Sequence, residues 1–91
     1  AAEAKEQGLI NQVVQSEALP QAAIALARKI MSKPEAAVRM GKQLFNSQLE
    51  VGIEQAYQMA GQTMACNMMD NAALEGVQAF IEKRKPNWPA N

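Results

Sequence analysis

The sequence predicts an all-α chain: four main helices plus a leading helix and one short unpaired extended segment. Three observations carry that expectation. Ala is the commonest residue and Gln the next, and both sit well in helices. Ile, Val and Thr, which favour strands, are sparse outside one short run. Apolar residues recur at three- and four-residue spacing between Pro and Gly punctuation. With 91 residues the chain has room for one domain at most, and so short a chain buries a smaller share of its surface than a full-sized domain does.

The opening "AAEAKEQ" is helical in composition, and Gly8 stands where a helix commonly ends, because Gly takes up a left-handed backbone without penalty. "LINQVV", Leu9 to Val14, is the one run with strand character, and it is too short to fold without a partner. No second strand is visible, so the sequence reads as a piece of a larger subunit, an expectation strengthened by an opening that resembles the last turns of a helix. Ser16 offers an N-cap, with Glu17 and Pro20 in the first turn after it. Leu19, Ala22, Ala23, Leu26, Ala27, Ile30 and Met31 then mark one helical face.

Pro34 breaks that pattern and starts the next helix, whose face is Ala37, Val38, Gly41, Leu44 and Phe45 and which ends near Asn46 to Gln48. The following segment places Leu49, Ile53, Ala56, Tyr57, Ala60 and Met64 on one stripe, while Val51, Met59, Cys66, Met68 and Met69 fall outside it. A helix apolar on more than one face is covered on two sides, by its own bundle and by another domain or subunit. Asp70 is placed to cap the last helix, in which Leu74, Val77, Phe80 and Ile81 form the stripe. Lys83, Arg84 and Lys85 fall in its last turn as a solvated, dipole-complementing tail, and Pro86 stops it.

Much chemistry is excluded. The nine basic and nine acidic residues cancel, leaving no global field to draw nucleic acid or an anionic membrane. No apolar run approaches the roughly 20 residues that span a bilayer, and the expected location is the cytoplasm. Without His, and with Cys66 alone, neither a Ser/His or Cys/His nucleophile nor an ordinary zinc site can be assembled. The scattered Gly residues form no phosphate loop. Glu50 and Glu54, four apart on one helical face, read as a solvated pair rather than an acid/base couple. Met59, Met64, Met68 and Met69 read first as core filler and second as the lining of an acyl pocket or partner groove.

The stretch "EGVQAFIEKRKPNW" closely resembles the carboxyl-terminal signature of the crotonase (enoyl-CoA hydratase/isomerase) superfamily, carried here by Glu75, Gly76, Ala79, Phe80, Glu82, Lys83, Arg84, Pro86 and Trp88. Upstream, "AAEAKEQGLINQVV" is similar to that family's passage from a helix through Gly into a last short strand. "LARKIMSKPEAAVRMGKQLFN" is similar to its following helix pair. Two departures are small: Ala72 stands where many members have an acidic residue, and Trp88 where many have Phe.

The resemblance implies that residues 1–14 end a spiral strand-strand-helix core and that residues 15–91 form a carboxyl-terminal helical domain that drives trimerisation. It implies that the parent is an acyl-CoA enzyme, a 2-enoyl-CoA hydratase or an isomerase shifting the double bond, with acyl-CoA as substrate and no cofactor. The family's oxyanion hole and acidic proton carriers lie in the upstream core, so no catalytic residue is carried over and the chain alone is expected to be inactive. Phe80 and Lys83 match positions near the adenosine end of CoA bound by an adjacent subunit. Self-association is expected, as a trimer or dimer of trimers in the parent and as a non-native oligomer through Val51, Met59, Met64, Met68 and Met69 in the isolated chain. The alternative is a stand-alone helical protein–protein interaction module; an acyl carrier domain lacks its Ser within an acidic loop.

Overall fold

The computed structural model describes residues 1–89. Its elements in chain order are α1 (Ala2–Glu6), a 3-10 turn (Ser16–Ala18), α2 (Leu19–Met31), α3 (Glu35–Gln48), α4 (Ile53–Asn67) and α5 (Asn71–Glu82). Four main helices and a short leading one are thus present, with no strand among the described residues. They divide into two compact units, the first Ala1–Ile30 and the second beginning at Met31.

In the first unit α1 ends as its sequence dictates. Gly8 adopts φ +79, the Leu9 N–H donates to the Ala4 carbonyl at 2.9 Å and the Gly8 N–H to that of Lys5 at 3.1 Å. This pair of reversed bonds is a Schellman turn, which satisfies carbonyls that the helix end would otherwise leave open. The strand character of Leu9 to Val14 is not realised: a strand needs a ladder partner for its backbone groups, and none stands among the described residues. Ser16 is not the cap expected of it. The chain enters a 3-10 turn first, with extended Gln15 at its start accepting from the Ala18 N–H at 2.9 Å, and no side-chain cap bond forms. Pro20 falls in the first turn of α2, where its missing N–H costs nothing. The stripe of α2 is regular but uncovered, with Leu19, Leu26, Ile30 and Met31 all exposed.

In the second unit α3 and α4 pack on each other as a hairpin joined through residues 49–52. Pro34 caps the start of α3 as expected. The end of α3 is closed by side chains, Asn46 Nδ2 donating to the Lys42 carbonyl at 2.9 Å and Gln48 Nε2 to that of Phe45 at 3.0 Å. Leu49 belongs to this end rather than to the stripe of α4. The same connection separates the two carboxylates read as one face, because Glu50 precedes the Gly52 cap and Glu54 lies in the first turn of α4. Met40, Leu44, Ala56, Met59 and Ala60 are half-buried along the hairpin. On its outer side Phe45 and Tyr57 stand exposed over an apolar groove of about 570 Å³.

α5 begins where Asp70 was expected to cap it, the Ala72 N–H donating to Asp70 Oδ1 at 2.8 Å. Its covered face, however, is the opposite of the expected one. Ala72 and Ala79, exposed by only 6% and 2%, are the buried apolar residues of the described chain, whereas Leu74, Val77, Phe80 and Ile81 are all exposed. At 100° per residue Ala72, Gly76 and Ala79 share a side of the helix that Leu74, Val77 and Ile81 avoid. Small residues let the backbone approach its neighbours closely, and the large apolar side faces outward.

Candidate functional site

The two site residues expected from the sequence, Phe80 and Lys83, stand at the carboxyl end of α5. That end is built differently from the expectation. The helix stops at Glu82, before Pro86 is reached, because Lys83 turns into the left-handed region at φ 54, ψ 43. The Lys83 N–H donates to the Phe80 carbonyl at 3.2 Å and the Arg84 N–H to that of Ala79 at 3.0 Å. This is the Schellman turn of α1 again, with Lys in the place that Gly8 fills there.

The three cations therefore do not share one role, and no basic residue lies in the last helical turn. Arg84 folds back along α5 instead of trailing into solvent. Its Nη1 and Nη2 donate to the two carboxylate oxygens of Glu75 at 2.6 and 3.3 Å, and its Nε donates to Glu82 Oε2 at 2.5 Å. Glu75 Oε1 also accepts the Asn87 backbone N–H at 2.8 Å, and Glu82 accepts from Gln78 Nε2 at 2.6 Å. The guanidinium bond, helped by that of Asn87, holds the Glu75 carboxyl down at about 2. Glu82 is lowered by Gln78 and then by Arg84, and Arg84 is raised by Glu75 and then by Glu82. A bidentate arginine–carboxylate fork fixes geometry as well as charge.

Beyond it the chain runs back to Trp88. The indole Nε1 donates to the Ser32 carbonyl at 2.8 Å, and ring atoms Cζ3 and Cη2 lie 3.3 Å from where a Cβ on Gly76 would sit. Gly76 is thus the opening in α5 over which the ring lies. Phe80 and Trp88 line one apolar cleft of about 450 Å³ with Pro34, Ala37 and Met68. The Phe80 ring is 83% exposed. The Lys83 side chain enters no hydrogen bond or ion pair among the described residues.

The structure accordingly brings Phe80 and Lys83 to one end of one helix, and adds a clamp of Glu75, Arg84, Asn87 and Trp88, of which the sequence marked Glu75, Arg84 and Trp88 only as signature positions and Arg84 as part of a solvated tail. Glu75 and Arg84 are nine apart, so no helical i, i+4 rule pairs them; only a reversal of the chain does. The usable signal was Gly76, twelve residues before the only Trp of the sequence, a helix-interior Gly that costs stability unless something lies over it.

The family model described as enoyl-CoA hydratase/isomerase matches residues 1–91. The chain is 38% identical over 88 residues to the zebrafish (Danio rerio) protein named enoyl-CoA hydratase domain-containing protein 3, mitochondrial, covering 97% of this chain and 30% of that one. It is 35% identical over 88 residues to a crotonyl-CoA hydratase of Syntrophomonas wolfei, covering 97% and 34%. A crystal structure of an enoyl-CoA hydratase from Mycobacterium smegmatis superposes with a TM-score of 0.91 at 58% identity, over 97% of this chain and 34% of that one. The chain spans about a third of the length of these relatives.

Proposed function

Because the chain belongs to the enoyl-CoA hydratase/isomerase family, we propose that it is the carboxyl-terminal helical portion of an acyl-CoA enzyme, a hydratase or isomerase of enoyl-CoA, in which it joins subunits and helps close the CoA site. The observation that carries this reading is the match of the whole chain to one third of proteins named for that chemistry. The outward large apolar faces of α2 and α5 support a role beside other protein surfaces. Catalytic groups belong to the remaining length of the parent, and the chain alone is inactive.

The carboxyl end of α5 supplies the contact with CoA. The exposed Phe80 ring offers a flat face to adenine, and Lys83 offers an ammonium that no carboxylate of the described chain holds. Its backbone strengthens the case: a left-handed helix end favours Gly, and a Lys kept there at a cost points to use of its side chain. The helix gives an anion no help at this pole, so the side chain acts alone.

In the full-length enzyme Lys83→Ala is expected to raise KM for a CoA thioester severalfold with kcat nearly unaltered, as loss of uniform binding requires. A pantetheine thioester, which lacks the nucleotide, should be processed as before. Equal loss on both substrates would overturn the assignment and leave Lys83 a folding or assembly residue.

A further inference from the structure

Resting on that reading of Lys83, we infer that Glu75 and Arg84 are positioning residues for the CoA contact: their fork holds the turn that aims the Lys83 ammonium. Neither need touch the ligand. A non-glycine residue is disfavoured in the left-handed region, and the relaxed alternative for Lys83 is one more right-handed helical residue. That change would swing everything after residue 83 along the helix axis and point the Lys83 side chain elsewhere.

The contacts that oppose it all lie just beyond. Arg84 is drawn back to Glu75 by two bonds and to Glu82 by a third. The same Glu75 carboxylate holds the Asn87 N–H, so one acidic side chain fixes the chain at two points, one and four residues past Lys83. Trp88, lying over Gly76 and bonded to Ser32, fixes it at a third. Among the described residues Arg84 is the charged group paired with Glu75, with Glu82 on the far side of the same guanidinium. Lys83 sits inside a turn whose far side is tied down and whose own side chain is left out of the ties.

The test is a double-mutant cycle in the full-length enzyme. Glu75→Gln, Arg84→Gln, Lys83→Ala and each pair with Lys83→Ala are assayed on a CoA thioester and on its pantetheine counterpart. Positioning predicts that Glu75→Gln and Arg84→Gln each raise KM for the CoA substrate severalfold, leave the pantetheine substrate untouched, and add nothing once Lys83 is already Ala. Arg84→Gln leaves Glu75 to hold Asn87, so the cycle survives if Glu75→Gln misfolds. Effects that multiply with Lys83→Ala, or a KM unmoved by the clamp variants while Lys83→Ala raises it, would overturn the positioning role and spare the CoA reading. A KM unmoved by Lys83→Ala itself would overturn both.

Discussion

Gly8 and Lys83 occupy the same place in two Schellman turns, at φ +79 and φ 54, and the comparison isolates what a side chain costs there. Gly is free in that region and Lys is not. Lys83→Gly is therefore expected to stabilise the chain by about 1 kcal/mol, less the extra freedom that Gly brings to the unfolded state, and, on the proposed CoA contact, to weaken CoA binding in the full-length enzyme as is expected of Lys83→Ala. Thermal unfolding beside KM checks it; a variant both less stable and unimpaired in binding would contradict the reading. Gly8 was legible from the sequence because Gly advertises the left-handed turn. Lys83 was not, since nothing in a Lys announces a positive φ, and Pro86 drew attention as the stop signal three residues too late. Phe80 and Lys83 were paired by the family signature alone; their exposure, and the absence of a hydrogen bond or ion pair on the Lys83 side chain among the described residues, needed the fold.

At the scale of elements, the clamp along α5 has a pH dependence whose sign is fixed. Glu75 titrates at about 2 in the folded chain against 4.5 ordinarily. A depressed carboxyl contributes stability that is fully present above its unfolded value and is lost as pH falls through the folded one. Trp88 is the only Trp, so its emission is expected to hold steady from neutrality to about pH 4.5 and to shift red between there and about pH 2 as the tail lets go. A red shift centred above pH 5 would mean that another group governs the tail. Helix existence was readable along the whole chain, and the Asp70 cap and Pro34 start with it, because those signals are local. The buried side of α5 was not. Hydrophobic periodicity finds the large apolar face, but here that face is exposed while Ala72 and Ala79 are buried and Gly76 lies under the Trp88 ring. Leu9 to Val14, expected as an unpaired extended segment, forms no ladder because no partner strand stands among the described residues.

For the molecule as a whole, surface sets the behaviour. Large apolar side chains stand exposed in both units, Leu19 and Leu26 in the first and Met64, Met68 and Met69 in the second. Val51 and Met59, also expected on that surface, are only half-exposed. Apolar patches beyond several hundred Å² seldom stay bare, so the isolated 91-residue chain is expected to associate, by static light scattering, into dimers or larger species at high micromolar concentration. A monomer there would count against it. Replacing Met64 and Met69 by Gln should shift the equilibrium toward monomer without loss of helical circular dichroism.

The bond from Trp88 to Ser32 joins residues 56 apart in the chain, whereas the one from Arg84 to Glu75 spans nine. Loop-closure entropy makes the longer ring dearer by about 1.6 kcal/mol if both close from a free chain. Pairing α3 with α4 beforehand takes out most of the intervening slack, and folding Arg84 onto Glu75 carries the indole toward its acceptor. The order of assembly follows: hairpin first, fork second, indole last. Trp88 can reach Ser32 cheaply only after everything between them has already found its place.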